Sequence, residues 1–268
     1  MSNLKPTIGL VFGGNSSEHD VSIQSAKSIY NALSNPENNE RFNVNPIYID
    51  KYGFWGDYEF SKSILSKDNI SNPTIKNDGC SINSLTNLSN ESEKIDIWFP
   101  ALHGPNGEDG VIQGLFKLTG KPFVGSGVLG SSLGMDKIAM KSILKSFNLP
   151  QAPYIYFNKE DQLKKISMQL IFDKIDQAIK YPCFVKPANL GSSIGITKAY
   201  SKEEVIKAIK LATKYDERII IEKNINGREL ECGVLGKSIM RSSVVGEVKF
   251  LTDWYTYESK YHQNQSST

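Results

Sequence analysis

The sequence has 268 residues, of which 39% are hydrophobic and 22% charged, and its formal net charge is +2. These values are typical of a soluble globular protein with two or three domains, and the charge gives no electrostatic case for a nucleic-acid partner. No apolar run reaches the length of a membrane span, and three widely spaced cysteines predict neither a disulfide framework nor a zinc site. A cytoplasmic location without a membrane partner is therefore expected.

The first predicted elements are typical of a doubly wound α/β domain. An apolar strand over 8–12 leads through a glycine turn into a helix that ends near Leu33. Ligands of such domains bind at the carboxyl ends of strands, which is where Glu18 and, after a strand over 95–102, His103 are found. A lone glutamate there also complements a helix dipole, and a lone loop histidine is often only hydrogen-bonded, so both alternatives stay open at this point.

A literal G-x-G-x-x-G at 125–130 supports a rival hypothesis, a nicotinamide-dependent oxidoreductase. Its context is unfavourable, because the preceding strand is very short and residues 147–153 contain no acidic residue to bind a ribose. The motif alone is weak support for dinucleotide binding.

The segment 184–196 is the one around which the other motifs are best interpreted. A short apolar strand delivers Lys186, and a loop of small residues with Ser192 and Ser193 follows between two glycines. Loop N–H groups, hydroxyls and a compact positive charge suit a polyphosphate. The alternative is an ordinary glycine-containing hairpin with a solvated lysine.

Two further segments favour a nucleotide. Lys137 lies in the first turn of a predicted helix, where a positive charge is unfavourable unless it faces an anion; a solvated surface lysine is the alternative. A buried strand from Arg218 ends at Glu222 and Lys223, where a strand edge with free backbone groups would suit an adenine. Glu229 follows and can accept hydrogen bonds from ribose hydroxyls.

Taken together, the order of motifs resembles the D-alanine–D-alanine ligase family of the ATP-grasp superfamily. The resemblance covers nearly all of the chain outside residues 61–94, which are rich in Ser and Asn and predict a surface insertion. The motifs that carry it are G-G-N-S-S-E at 13–18, A-L-H-G at 101–104, G-E-D-G at 107–110, G-S-G at 125–127, M-D-K at 135–137, K-P at 186–187, G-S-S-I-G at 191–195, E-K at 222–223 and Y-E-S-K-Y at 257–261.

The resemblance implies both a fold and a reaction. The fold is α/β, with a doubly wound N-terminal domain (1–125), a central ATP-binding α+β domain (126–221) and the start of a C-terminal ATP-grasp domain (222–268). ATP converts the carboxylate of one D-alanine to an acyl phosphate, which the amine of a second D-alanine attacks, and the dipeptide feeds peptidoglycan synthesis. Members of the family are typically homodimers.

The resemblance also implies residue roles by position. Glu18 would hold the ammonium of the first D-alanine, His103 would lie on its carboxylate side, and Ser192 would join Glu18 and Tyr261 in a hydrogen-bonded set that closes the site. The residues implied to bind ATP are Lys137, Lys186, Ser192, Ser193, Glu222, Lys223, Ile225, Glu229 and Lys260.

Metal binding is the point at which this chain departs from the family pattern. Family sequences continue past residue 268 through the acidic and asparagine ligands of two Mg²⁺ (or Mn²⁺) ions, so the sequence assigns no catalytic metal ligand within 1–268. This raises a third hypothesis, a truncated remnant that binds nucleotide without turnover.

Overall fold

A computed structural model describes residues 5–66, 74–75, 92–162, 165–250 and 266–267. The chain divides into two compact units, Met1–Met140 and Lys141–Thr268. The boundaries at 125 and 221 that the sequence suggests stay predictions. Among the residues described, no helix is long and apolar enough to cross a membrane.

The first unit is built on a parallel sheet with strand order β2-β1-β3. Successive side chains of β1 point to opposite faces, so Val11 packs in one core cluster with Ile112, while Leu10 packs in another with Ile23. Both faces are therefore covered, as predicted for a doubly wound domain. Its elements are β1 (Thr7–Gly13), α1 (His19–Leu33), α2 (Pro36–Asn39), β2 (Asn43–Ile49), α3 (Tyr58–Ser66), β3 (Ile97–Pro100), α4 (Val111–Leu118), α5 (Val128–Met135) and the start of α6 (Lys137–Ser146).

The predicted surface insertion at 61–94 begins inside a helix. Ile64 of α3 is fully buried, and the Ser61 hydroxyl accepts a 2.8 Å hydrogen bond from the Tyr48 backbone N–H. The prediction is therefore wrong for residues 61–66. The helix is short and most of its side chains are polar, so its one buried face gives no clear periodic pattern in the sequence. Residues 67–73 and 76–91 lie outside the described part of the chain.

The second unit contains an antiparallel sheet with strand order β4-β7-β5-β6. One face packs on a helical layer, where Val185 and Ile221 meet Ile175 and Ile209 in the core. The opposite face of the sheet carries Lys186. The elements are β4 (Tyr154–Asn158), α7 (Lys159–Gln162), α8 (Lys165–Lys174), a π-helical turn (Ile175–Ile179), β5 (Cys183–Pro187), β6 (Thr197–Ala199), α9 (Lys202–Ala212) and β7 (Arg218–Lys223).

The rest of the second unit consists of short, mostly exposed strands. Three antiparallel pairings, β8 with β11, β9 with β10 and β11 with β12, connect them. Cys232, which lies in an apolar run of the sequence, is exposed there, whereas Cys183 on β5 is buried. The strands are β8 (Glu229–Glu231), β9 (Val234–Gly236), β10 (Met240–Ser242), β11 (Gly246–Phe250) and β12 (Ser266–Ser267).

Candidate active site

Two buried side chains fix the turn at the carboxyl end of β1. The Ser22 hydroxyl accepts from the Gly13 N–H (2.8 Å) and donates to the carbonyl oxygen of Ala101 (2.6 Å), so it joins the ends of β1 and β3. His19 lies 2.7 Å (Nδ1) from the Gly14 carbonyl oxygen and 3.0 Å (Nε2) from the Tyr48 hydroxyl. Since a carbonyl oxygen only accepts, Nδ1 carries the proton. Burial lowers the pKa of His19 and favours this neutral ring.

Glu18 is buried at the start of α1, with 3% of its surface exposed. Its backbone N–H donates to the Ser16 hydroxyl (3.0 Å), which in turn donates to the His103 carbonyl oxygen (2.9 Å). The next residue, Gly104, has a φ of +73°, and a Cβ at that position would collide with the Glu18 carboxylate. The structure thus brings Glu18 and the loop after β3 together, as expected from two neighbouring strand ends.

The His103 ring has one hydrogen-bond partner and one more distant acidic neighbour. Its Nε2 lies 2.8 Å from the Ser25 hydroxyl of α1, and its Nδ1 lies 4.0 Å from Oε1 of Glu108. The second oxygen of Glu108 accepts a 2.7 Å hydrogen bond from the Gly104 N–H. The imidazole therefore has a defined orientation beside the Glu18 loop. Ser25 and Glu108 were not predicted from the sequence as neighbours of the His103 ring.

A cavity of about 310 Å³ lies beside this loop. Its size is at the lower end of the range typical of small-molecule sites. The glycine turn and His103 give it a polar edge, and its remaining wall is largely apolar. Residues that line it include Gly14, Asn15, Ile49, Trp55, Leu102, His103, Ile112 and Leu115.

In the second unit, Glu222 of β7 lies between two lysines. Its Oε2 accepts a 2.5 Å hydrogen bond from the Lys186 Nζ, and its Oε1 lies 3.1 Å from the Lys141 Nζ. Phe184 is the register partner of Glu222 on β5, and side chains two residues apart share a face, so Lys186 and Glu222 meet on the face opposite the helical layer. Burial raises the pKa of Glu222, but Lys186 and then Lys141 outweigh burial together and hold the pKa below its usual range.

The loop after Lys186 has an unusual backbone. Ser192 and Ser193 have positive φ angles of 47° and 60°, which few non-glycine residues adopt. Its start is anchored by Asp216, whose Oδ2 accepts from both the backbone N–H (2.7 Å) and the side-chain Nδ2 (2.9 Å) of Asn189. The next strand begins at Thr197.

The other predicted nucleotide residues lie on two segments. Lys137 is the first residue of α6, as predicted. β7 pairs with β4 on one side and with β5 on the other, so Glu222 lies on a central strand of the sheet and not at its edge. Ile225 and Glu229 follow and are exposed. Lys260 and Tyr261 lie outside the described residues.

No metal site is found in the described ranges. Residues 5–66, 74–75, 92–162, 165–250 and 266–267 contain no group of three or more His, Cys, Asp or Glu side chains that could hold an ion. The metal requirement stays an expectation from the resemblance.

Comparison with known families gives matches in both units. Residues 7–126 match the family model described as D-ala D-ala ligase N-terminus, and residues 143–268 match the one described as D-ala D-ala ligase C-terminus. A D-alanine–D-alanine ligase of Prochlorococcus marinus (strain NATL1A) is 69% identical over an alignment of 270 positions, which covers all of this chain and 76% of the relative. The ligase of Synechococcus sp. (strain CC9605) is 47% identical over 98% of this chain and 74% of its own length.

Solved structures are similar as well. The VanG D-Ala:D-Ser ligase from Enterococcus faecalis superposes with a TM-score of 0.74 at 31% identity, covering 98% of this chain and 75% of that one. The D-alanine-D-alanine ligase from Coxiella burnetii gives a TM-score of 0.71 at 30% identity, covering 91% and 68%. The fold predicted from the sequence is thus confirmed.

Proposed function

Because the chain belongs to the D-alanine–D-alanine ligase family, we propose that it joins two D-alanine molecules in a reaction driven by ATP. The observation that carries the proposal is the family match in both units. The γ-phosphoryl group of ATP moves to a carboxylate oxygen of the first D-alanine and ADP leaves. The amine of the second D-alanine then attacks the carbonyl carbon, the C–O bond breaks, and phosphate leaves with that oxygen. The dipeptide serves peptidoglycan synthesis.

The first unit is proposed to bind the first D-alanine. A buried carboxylate such as that of Glu18 suits an ammonium group, because a charge-assisted hydrogen bond is strong where water is excluded. His103, which is oriented by its hydrogen bond with Ser25, suits the substrate carboxylate. The cavity of about 310 Å³ is lined by His103 and the glycine turn, whereas Glu18 is not among its lining residues.

The second unit is proposed to bind ATP. Phosphoryl transfer depends on positioned cations more than on covalent catalysis, and Lys186 supplies one next to a loop whose hydroxyls and N–H groups suit phosphate oxygens. Ser192 and Ser193 of that loop are proposed to contact phosphates as well. Lys137, which belongs to the first unit, is expected from the resemblance to bind a phosphate. The nucleoside contacts proposed are those of Glu222, Lys223, Ile225 and Glu229.

Other features of the proposed function are expectations from the family resemblance. The roles of Lys260 and Tyr261, the use of Mg²⁺, the homodimer and the cytoplasmic location rest on the resemblance. The family match favours the ligase hypothesis over the nicotinamide-dependent one. In the described range 92–162, the residues directly before the G-x-G-x-x-G at 125–130 form an isolated bridge between Trp98 and Phe123.

The test is release of ADP by the purified chain in Mg²⁺ and ATP, measured with D-alanine, with L-alanine and without an amino acid. We expect release only with D-alanine, together with the dipeptide. Release that is independent of D-alanine would contradict the proposal.

A further inference from the structure

Lys141 is a buried charged residue that has no role in the proposed mechanism. It lies on α6, and 9% of its surface is exposed. Its Nζ is 3.1 Å from Oε1 of Glu222 and 5.2 Å from the centre of the Tyr154 ring. Its carbonyl oxygen accepts a 2.9 Å hydrogen bond from the Gln151 side chain. The backbone carbonyl and the ammonium group of Lys141 are thus both held in place.

The two lysines that flank Glu222 are not equivalent. The side chain of Lys141 is 11% exposed and that of Lys186 is 21% exposed. Lys186 also has the Phe184 ring 5.5 Å from its Nζ and leads directly into the loop proposed to bind phosphates. With two ammonium groups and one carboxylate, the cluster has a net charge of +1, which an incoming phosphate would complement.

A buried carboxylate that loses its counter-ion is strongly unfavourable. If Lys186 alone paired with Glu222, its movement to a phosphate would leave such a carboxylate behind. Lys141 removes this obstacle, because it stays bound to the other oxygen of Glu222.

We propose that Lys141 is a positioning residue for nucleotide binding, which keeps Glu222 paired and ionised while Lys186 turns from Glu222 to a phosphate of ATP. The inference rests on the proposed function, since it takes ATP to be the ligand of the second unit. Lys141 acts through Glu222 and does not itself contact the nucleotide.

Replacing Lys141 by Met makes a distinctive change in nucleotide binding. Lys186 must then leave Glu222 without a lysine partner, so Glu222 takes up a proton when the nucleotide binds. Binding becomes weaker by about tenfold for each unit by which the pKa of Glu222 then exceeds the pH, and it improves as the pH falls. Lys141→Arg keeps the positive charge and restores binding without proton uptake.

The experiment is titration calorimetry of the full chain with a non-hydrolysable ATP analogue and Mg²⁺ in two buffers of different ionisation enthalpy. The comparison gives the affinity and the number of protons taken up. We expect Lys141→Met to bind about tenfold more weakly or worse and to take up more protons than the wild type. Equal affinity and equal proton uptake in the two proteins would overturn the inference.

A second comparison separates action through Glu222 from direct contact. In a Glu222→Gln background no carboxylate is left unpaired, so Lys141→Met should then change affinity by less than about threefold. If Lys141 bound a phosphate itself, its loss would weaken binding equally in both backgrounds, and the inference would be wrong. Thermal unfolding of each variant checks that it folds, and Lys141→Gln provides the same test if the Met variant does not.

Failure of the inference and failure of the proposed function are distinguishable. Normal nucleotide binding by the Lys141 variants, with D-alanine-dependent ADP release by the wild type, refutes only the inference. The expected proton uptake, without any D-alanine dependence of ADP release, refutes only the ligase proposal. A wild-type chain that binds no nucleotide refutes both.

Discussion

Replacing Gly104 by alanine tests whether the Glu18 carboxylate binds substrate. Gly104 has a φ of +73°, and a Cβ there would meet the buried Glu18 carboxylate. Gly120 is a matched control, because its φ is +70° and a Cβ would meet nothing within 4 Å. Both alanines incur the strain of a left-handed backbone, which costs about 1–2 kcal/mol. Only Gly104→Ala also displaces Glu18.

The magnitude follows from the interaction that would be lost. A hydrogen bond to a charged group contributes about 1.5–3 kcal/mol, which corresponds to a rise of about 10- to 150-fold in the KM for D-alanine. Gly120→Ala should lower the unfolding free energy by about 1 kcal/mol and leave this KM unchanged. The assay is D-alanine-dependent phosphate release at varied D-alanine, with denaturant unfolding measured in parallel. Equal KM values for the two variants would refute the assignment of Glu18.

Three further predictions concern the second unit. Lys186→Ala should raise the KM for ATP by about tenfold or more. The control is Lys198→Ala: the Nζ of Lys198 also lies near the Phe184 ring, and its loss should change this KM by less than about threefold. Equal effects of the two substitutions in the kinetic assay would contradict the assignment of Lys186 to the phosphate site. Because the pKa of Glu222 is lowered in the folded state, its ionised form stabilises the fold at pH values above the pKa of an unfolded glutamate. This stabilisation is lost as the pH falls through the folded-state pKa of Glu222. The unfolding free energy of the wild type should therefore fall more on acidification than that of Glu222→Gln, and parallel curves would contradict this. Burial raises the pKa of the Cys183 thiol from 9.0 to about 11. The unfolding free energy should therefore decrease as the pH rises between these values, and it should decrease less in Cys183→Ala. Labelling of Cys183 by a thiol reagent without prior unfolding would contradict its burial.

Hydrophobic pattern was sufficient for the elements near the first-unit site. The run over 8–12 reads as a strand buried on both faces, and the polar turn after it places Glu18 at a helix start, as the structure has it. The contacts that fix this turn were not predictable from the pattern. Ser22 and His19 reach across to Ala101 and Tyr48, and such long-range partners leave no periodic signal in one sequence.

The second-unit cluster shows a different limit. Lys186 was identified from its local context, a strand followed by a small-residue loop. Its pairing with Glu222, 36 residues later in the chain, depends on the register of β5 and β7, which local pattern does not specify. Lys141 resembles any lysine of an amphipathic helix, and sequence reasoning selected Lys137, one turn earlier, because of its place at the helix start.

The central claim is that ATP activates the carboxylate of D-alanine, and oxygen transfer tests it most directly. D-alanine labelled with ¹⁸O in its carboxylate is incubated with the chain, ATP and Mg²⁺, and the products are analysed by mass spectrometry. An acyl phosphate intermediate predicts one labelled oxygen in each released phosphate and loss of one from each dipeptide formed. Phosphate without label, released at the same rate with and without D-alanine, would contradict the account.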